Sequence, residues 1–399
     1  YLALTTNTTG ASNTALGDQA LEANTTASNN VAVGKDAMTA NTTGASNVAV
    51  GRGAGEGITT GSNNTLIGTE AGSTMSTQSN CVFIGNLCGE ANAAADNVGI
   101  GQQCLETNSS GAALTAVGKM ALEANTSGSN NVAVGHEAGR ANTTASGCTF
   151  IGKNAGTSNT TAAANTYVGY TAGAACTTGD GNSFFGYEAG DAVTTSTDNT
   201  FIGKRAGDTQ VSGANGNVVV GAGSDVSKTN AGGQVVLGSA ITGTDDATCT
   251  IGYNGNTASL TLNGSDETWA SASDERLKEN VQESTVGLAF INELRPITYQ
   301  WKKKKDVPTD MRQYKKGSNE PSVGFKYGTQ HHGFIAQEVK AVIDKYDDVK
   351  DGQNIWKCGT DKTQMISKGG LITMLVKAIQ ELSAEVEELK KQAHDKCDK

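Results

Sequence analysis

Apolar residues recur in bursts of three along the first two thirds of the chain, and each burst ends one residue before a glycine. The glycines stand at Gly17, Gly34, Gly51, Gly68, Gly85, Gly101, Gly118, Gly135, Gly152, Gly169, Gly186, Gly203, Gly221 and Gly238, with Gly252 as an irregular last member, a spacing of 17 with single-residue slips. The residue before each is apolar, as in Leu16, Val33, Ile67 and Phe185, and the residue three before is mostly Val or Thr. Each burst reads as a short strand, whose side chains alternate between two faces. Residues one and three before the glycine share a face and are expected to form the wall that each coil buries against the next. The residue between them points the other way and is also apolar, Ala in Ala15 and Ala32, aromatic in Phe83, Phe150, Tyr167, Phe184 and Phe201. A strand apolar on both faces needs two covers: the coil's own interior and a neighbouring subunit.

Three residues after each glycine from Gly17 to Gly203 comes Ala, or Cys at Cys88 and Cys104, and the next position is Leu, Met or Gly. Four before the glycine stands mostly Asn, suited to a turn and to stacking as a ladder. Asn24, Asn41, Asn108, Asn125, Asn142 and Asn159 each begin Asn-x-Ser/Thr, seven after a glycine. Such a column is expected either as N-glycan acceptors along an exposed edge or, without modification, as turns. A unit this short cannot bury its own face, and stacked units can, so residues 1–255 are expected to form a β-solenoid of 17-residue repeats, roughly 65–70 Å long at about 4.8 Å per rung. Ala3 and Leu4 already fit the register, so the numbering is expected to start inside a longer array. The motif Asn-x-Val-Ala-Val-Gly-x-x-Ala resembles the head repeats of trimeric autotransporter adhesins and of many phage tail fibres. The resemblance implies a trimeric β-roll, and hence a mainly β fold.

After Gly252 the register is lost. Residues 256–272 read as a neck, 273–370 as an α+β unit and 371–399 as a coiled coil. Ser273 is a good N-cap with Asp274 and Glu275 behind it, so a helix is expected to start there and run to Pro296. Ile297 to Trp301 reads as a strand, 302–328 as an exposed loop, and Gly333 to Ile343 as a return to order leading into a helix. Ile372, Leu375, Ile379, Leu382, Val386, Leu389 and Ala393 alternate by three and four, a heptad seam that permits a trimer.

Four stretches occur in order: Ser273-Asp274-Glu275-Arg276-Leu277-Lys278-Glu279-Asn280-Val281, Leu294-Arg295-Pro296-Ile297-Thr298-Tyr299, His331-His332-Gly333-Phe334-Ile335-Ala336-Gln337-Glu338-Val339, and Leu375-Val376-Lys377-Ala378-Ile379-Gln380-Glu381-Leu382. Together they resemble the endosialidase-type intramolecular chaperone domain. That resemblance implies a domain that trimerises a fibre, directs the folding of its β-rich part and releases itself by cutting before the motif's serine, between Ala272 and Ser273. It further implies Ser273 as nucleophile and Lys278 as base, with His331 and Gln337 orienting or stabilising the intermediate. On spacing alone the same pair reads as a helix cap and a surface charge. Five positions along a continuous helix set the two side chains about 140° apart, so the pair must straddle the helix start or meet across subunits.

Charge sharpens the division. Residues 1–272 carry 8 Lys+Arg against 20 Asp+Glu, and 273–399 carry 22 against 20, giving −12 and +2 and the total of −10. An acidic rod argues against nucleic acid, which requires cations to neutralise phosphates. No apolar run is long enough to span a membrane. The 8 Cys have neither paired nor metal-type spacing and read as buried small residues, so no metal and no cofactor are expected. The regular period leaves no room for an inserted glycosidase domain with paired carboxylates. The expected protein is a homotrimeric virion tail fibre or spike whose partner is a host surface receptor or glycan. The alternative is a cellular extracellular filament or surface adhesin carrying the same chaperone.

Overall fold

The computed structural model describes residues 2–209, 213–228, 230–262, 270–271, 278–311, 313–323, 328–350, 355–358, 363–367 and 369–397. The chain divides into two compact units, Tyr1–Ser273 and Asp274–Lys399.

In the first unit, three-residue strands run from β1 (Thr14–Leu16) to β13 (Val218–Val220), followed by β14 (Val235–Ser239) and β15 (Thr248–Tyr253). Each pairs in parallel with the next in constant register, Thr14 with Val31, Ala15 with Ala32 and Leu16 with Val33. The rest of each coil also bonds rung to rung, as in Leu21 N–H to the Ala37 carbonyl at 3.0 Å and Ala23 N–H to that of Thr39 at 3.0 Å. The unit is therefore a mainly β solenoid with the expected 17-residue period. At its C-terminal end the sheet reverses: β15 is antiparallel to β16 (Asn256–Thr261), and β16 to β17 (Ala270–Ser271).

The recurrent glycine follows from one close approach. Gly17 has φ +147, and a Cβ on it would stand 2.3 Å from the carbonyl oxygen of Gly34. Any side chain there would prise adjacent rungs apart.

The strand faces differ from expectation. The middle residue of each strand is the interior one: Ala32, Ala49, Phe83, Phe150, Tyr167 and Phe201 are fully buried within the coil. The flanking residues, expected as the wall between coils, point outward and are half-buried or exposed. Rungs stack through their edges by hydrogen bonds, so no side-chain face lies between them.

The interior is filled by compensation. In four rungs with a small strand centre (Ala15, Ala32, Gly99, Ala116) the residue six positions on is Leu21, Met38, Leu105 or Leu122, held at φ between 50 and 53; in the rungs of Ala49 and Ala133 it is Gly55 and Gly139, and the next rung's Leu66 and Phe150 reach into that space. Where the centre is aromatic, that residue is glycine, and a Cβ on Gly89 would lie 2.5 Å from the Phe83 ring, one on Gly207 2.3 Å from Phe201. Three of the aromatic rings stack, Tyr167 on Phe184 at 5.0 Å and Phe184 on Phe201 at 4.9 Å. Cys88 fills the space over Gly99, where a Cβ would meet its Sγ at 2.9 Å. Cys81, Cys88, Cys104, Cys148 and Cys176 are buried and free, and burial pushes the Cys81, Cys148 and Cys176 thiols up.

The Asn-x-Ser/Thr column is also interior. Asn24, Asn41, Asn108, Asn125, Asn142 and Asn159 are 0% exposed. Each hands its amide along a ladder: Asn125 Nδ2 donates to Asn108 Oδ1 at 2.9 Å and Asn142 Nδ2 to Asn125 Oδ1 at 2.8 Å. The exposed edge expected for these residues is corrected; the folded coil turns them inward because a buried amide that meets its own kind in the adjoining rung satisfies itself. The ladder stops where Ile58 takes the next place, and Asn41 Oδ1 is buried without a partner among the described residues.

The second unit holds α1 (Leu288–Glu293), β18 (Ile297–Tyr299), β19 (His331–Gly333), α2 (Ala336–Ile343), α3 (Asp347–Lys350), β20 (Trp356–Cys358), β21 (Gln364–Ile366) and α4 (Ile372–Cys397). Its core gathers Phe290, Val339, Ile343, Ile355, Leu371 and Met374. Of the helix expected from Ser273 onward, residues 273–277 lie outside the described residues, 278–287 are irregular, and helix appears at Leu288–Glu293. Ser284 diverts the chain: its Oγ accepts the N–H of Val286 at 3.2 Å, the local bond with which serine competes against helix. α1 is instead capped from far away, Leu288 N–H donating to Glu381 Oε2 of α4 at 2.7 Å. α4 turns Met374 and Ala378 into the core and leaves Ile372, Leu375, Ile379, Leu382, Val386 and Leu389 exposed.

Candidate functional site

β18 and β19 form an antiparallel pair with Thr298 opposite His332 and Tyr299 opposite His331. Ile335 then leads into α2, which sets Gln337 in its first turn. Between these elements and β21 opens a cleft of about 660 Å³, lined by Tyr299, Trp301, His332, Phe334, Gln337 and Met365 among others. Its walls are mostly aromatic and aliphatic, and Gln337 is an exposed polar group on its border. A second, smaller pocket of about 260 Å³ lies behind Phe334, between Leu294, Pro296 and Leu375.

The two histidines part company. His331 is half-buried and packs its ring 5.6 Å from Tyr299 and 6.5 Å from Trp301. His332 is exposed and lines the cleft. The structure thus brings Gln337 to the same cleft as His332, with His331 behind it against the aromatic wall. Lys278 lies in an irregular stretch and is exposed, and it is not one of the cleft's lining residues. Ala272 and Ser273 lie outside the described residues, so the scissile bond and its nucleophile are not placed. A lysine serves as a general base only where burial or nearby cations lower its pKa.

The sequence reading passed over Arg295 and Glu338. The guanidinium Nε donates to Glu338 Oε2 at 3.0 Å and Nη2 to Oε1, a two-point contact. The Arg295 guanidinium holds the Glu338 carboxyl below the usual carboxylate range. The contact joins the turn before β18 to the first turn of α2, and so fixes the mouth of the cleft. The signal was available: a lone arginine in Leu-Arg-Pro and a lone glutamate in Gln-Glu-Val. Among the described residues no group of three or more His, Cys, Asp or Glu is placed to hold a metal, and no helix is long and apolar enough to cross a membrane.

The chain is thus a repetitive β-solenoid followed by a small α+β unit with a long terminal helix. Residues 273–348, from the last residue of the first unit into the second, match the family described as chaperone of endosialidase. Neither the curated proteins nor the solved structures contain a match to the chain.

Proposed function

We propose that this protein is a homotrimeric fibre, the shaft or receptor-binding part of a virion tail fibre or spike. Its C-terminal unit gathers three copies, guides folding of the solenoid and then cuts itself free between Ala272 and Ser273. The observation that carries this reading is a coincidence of boundaries: the chaperone match begins at Ser273, where the repetitive unit ends. The exposed heptad seam of α4 supports the copy number, because Ile and Leu mixed at core positions are compatible with three strands.

In the proposed chemistry Ser273 Oγ attacks the carbonyl carbon of Ala272, Lys278 as neutral amine takes the hydroxyl proton, and the acyl group passes from nitrogen to oxygen. The proton moves on to the departing amine, which becomes the new N-terminus of Ser273. Water then hydrolyses the ester and leaves the carboxylate of Ala272. His331 and Gln337 orient the intermediate and donate to its oxyanion. Lys278 becomes a competent base only when assembly buries it, so cleavage follows trimerisation rather than preceding it.

Intact-mass measurement of the purified full chain tests this. The wild type should yield new ends at Ala272 and Ser273, and Ser273→Ala and Lys278→Ala should stay uncut. A Ser273→Ala protein shortened at the same bond would refute the assignment.

A further inference from the structure

Two cavities of the second unit share one wall. The smaller, of about 260 Å³, is bounded by Ile291, Leu294, Pro296, Leu371 and Leu375, and by Phe334. The larger is the cleft of His332 and Gln337, and Phe334 lines that as well. Among the described residues the two linings have Phe334 alone in common. Leu375 also belongs to two surfaces: it is 43% exposed on the heptad seam of α4 and walls the smaller pocket. That pocket is apolar throughout, and apolar space left open forfeits contacts that a closer arrangement regains. Its walls are not alike. Ile291 and Leu294 pack against the core and Leu371 is part of it, whereas the half-buried Phe334 has the open cleft beside it.

We propose that Phe334 is the positioning residue through which assembly on α4 sets the cleft for the cut. The inference rests on the fibre reading and adds the side chain by which the seam reaches the cleft. When partner helices cover the seam, Leu375 is pressed toward the pocket. The pocket then closes against the one wall that is not backed by core, the Phe334 ring. His332 stands two residues before Phe334 and Gln337 three after it, so the ring's displacement is carried to both. The strand has little room to retreat: Gly333 is paired with Ile297, and a Cβ on it would stand 3.2 Å from the Tyr299 ring. Small displacements matter here, because misplacement by about 1 Å costs on the order of a hundredfold in rate. Phe334 touches no reacting atom and acts through its two neighbours in the chain.

The full chain, followed by intact mass from its synthesis in a cell-free reaction, tests this. Phe334→Leu should assemble like the wild type by light scattering and cut the bond between Ala272 and Ser273 more slowly, on the order of tenfold to a hundredfold. Leu294→Phe refills the same pocket without touching the seam, so the double variant Phe334→Leu with Leu294→Phe should recover most of the lost rate. A ring that merely supported the fold would change the rate only as it changed the thermal midpoint or the trimer. Phe334→Met serves as a second variant should Phe334→Leu fail to assemble. A trimer of either variant that cuts at the wild-type rate overturns the inference and leaves the fibre reading standing, as does loss of the trimer in both. A wild type that is never cut at that bond overturns both.

Discussion

Replacing Gly89 with alanine would set a Cβ 2.5 Å from the Phe83 ring at φ +61. Overpacking plus left-handed backbone should destabilise the protein by about 2–4 kcal/mol. The rungs themselves suggest the rescue: Ala116 with Leu122 fills the same space from the other side. The double change Phe83→Ala with Gly89→Leu should therefore recover most of the thermal midpoint lost by Gly89→Leu alone, measured by calorimetry. Asn125→Ala should cost about 1–3 kcal/mol, because it strips Asn142 Nδ2 of one acceptor and opens the ladder. Spacing made every column visible, and Cys81, Cys88, Cys104, Cys148 and Cys176 are the buried small residues it suggests, whereas Cys249 is half-buried and Cys358 exposed. Spacing could not say which columns face each other across the coil. The trade between strand centre and glycine, and the inward turn of the Asn-x-Ser/Thr column, both depend on how the coil closes, and nothing local in Asn-Thr-Thr encodes that.

At the scale of elements, the pair that steadies the cleft has a pH signature. Arg295 holds the Glu338 carboxyl below its ordinary range, so its contribution is full above that range and is lost as pH falls through the lowered value. Glu338→Gln should then lose stability less steeply on acidification below about pH 4.3 than the wild type, by a small margin because both groups are exposed; thermal melts from pH 6 to 3 would show it. β18, α2 and α4 lie where the apolar patterns put them, α2 without a side-chain cap. The helix expected at Ser273 does not extend through 278–286, because Ser284 bonds its own backbone and the β-branched Val281, Thr285 and Val286 favour other conformations. α1 draws its cap from Glu381, 93 residues away, which no local signal announces. Of the proposed chemistry, Gln337 and His332 line one cleft and His331 packs on Tyr299 and Trp301 of its wall, whereas Ser273 lies outside the described residues and Lys278 is not among the lining residues.

For the whole molecule the terminal helix is the decisive element. Ile379→Asp together with Leu382→Asp leaves the buried side of α4 untouched and charges its exposed seam. Light scattering should then show loss of the trimer, and uncut chain should accumulate; a trimer of unchanged mass would contradict the proposed assembly. The repeats make such a device necessary. Val-Ala-Val recurs unchanged in the strands at Val31–Val33, Val48–Val50 and Val132–Val134, so a slip by one rung matches like with like and little in the shaft opposes it. In the proposed trimer the heptad seam, with a single register, is the element that supplies the missing alignment. The antiparallel turn at β15 to β17 acts at the other kind of edge. A stack of parallel rungs exposes at its last strand a row of unpaired amides and carbonyls, a template on which further chain can polymerise. Folding β16 back across β15 consumes that row with strands running the wrong way for another rung, so the stack of rungs is closed from within its own sequence.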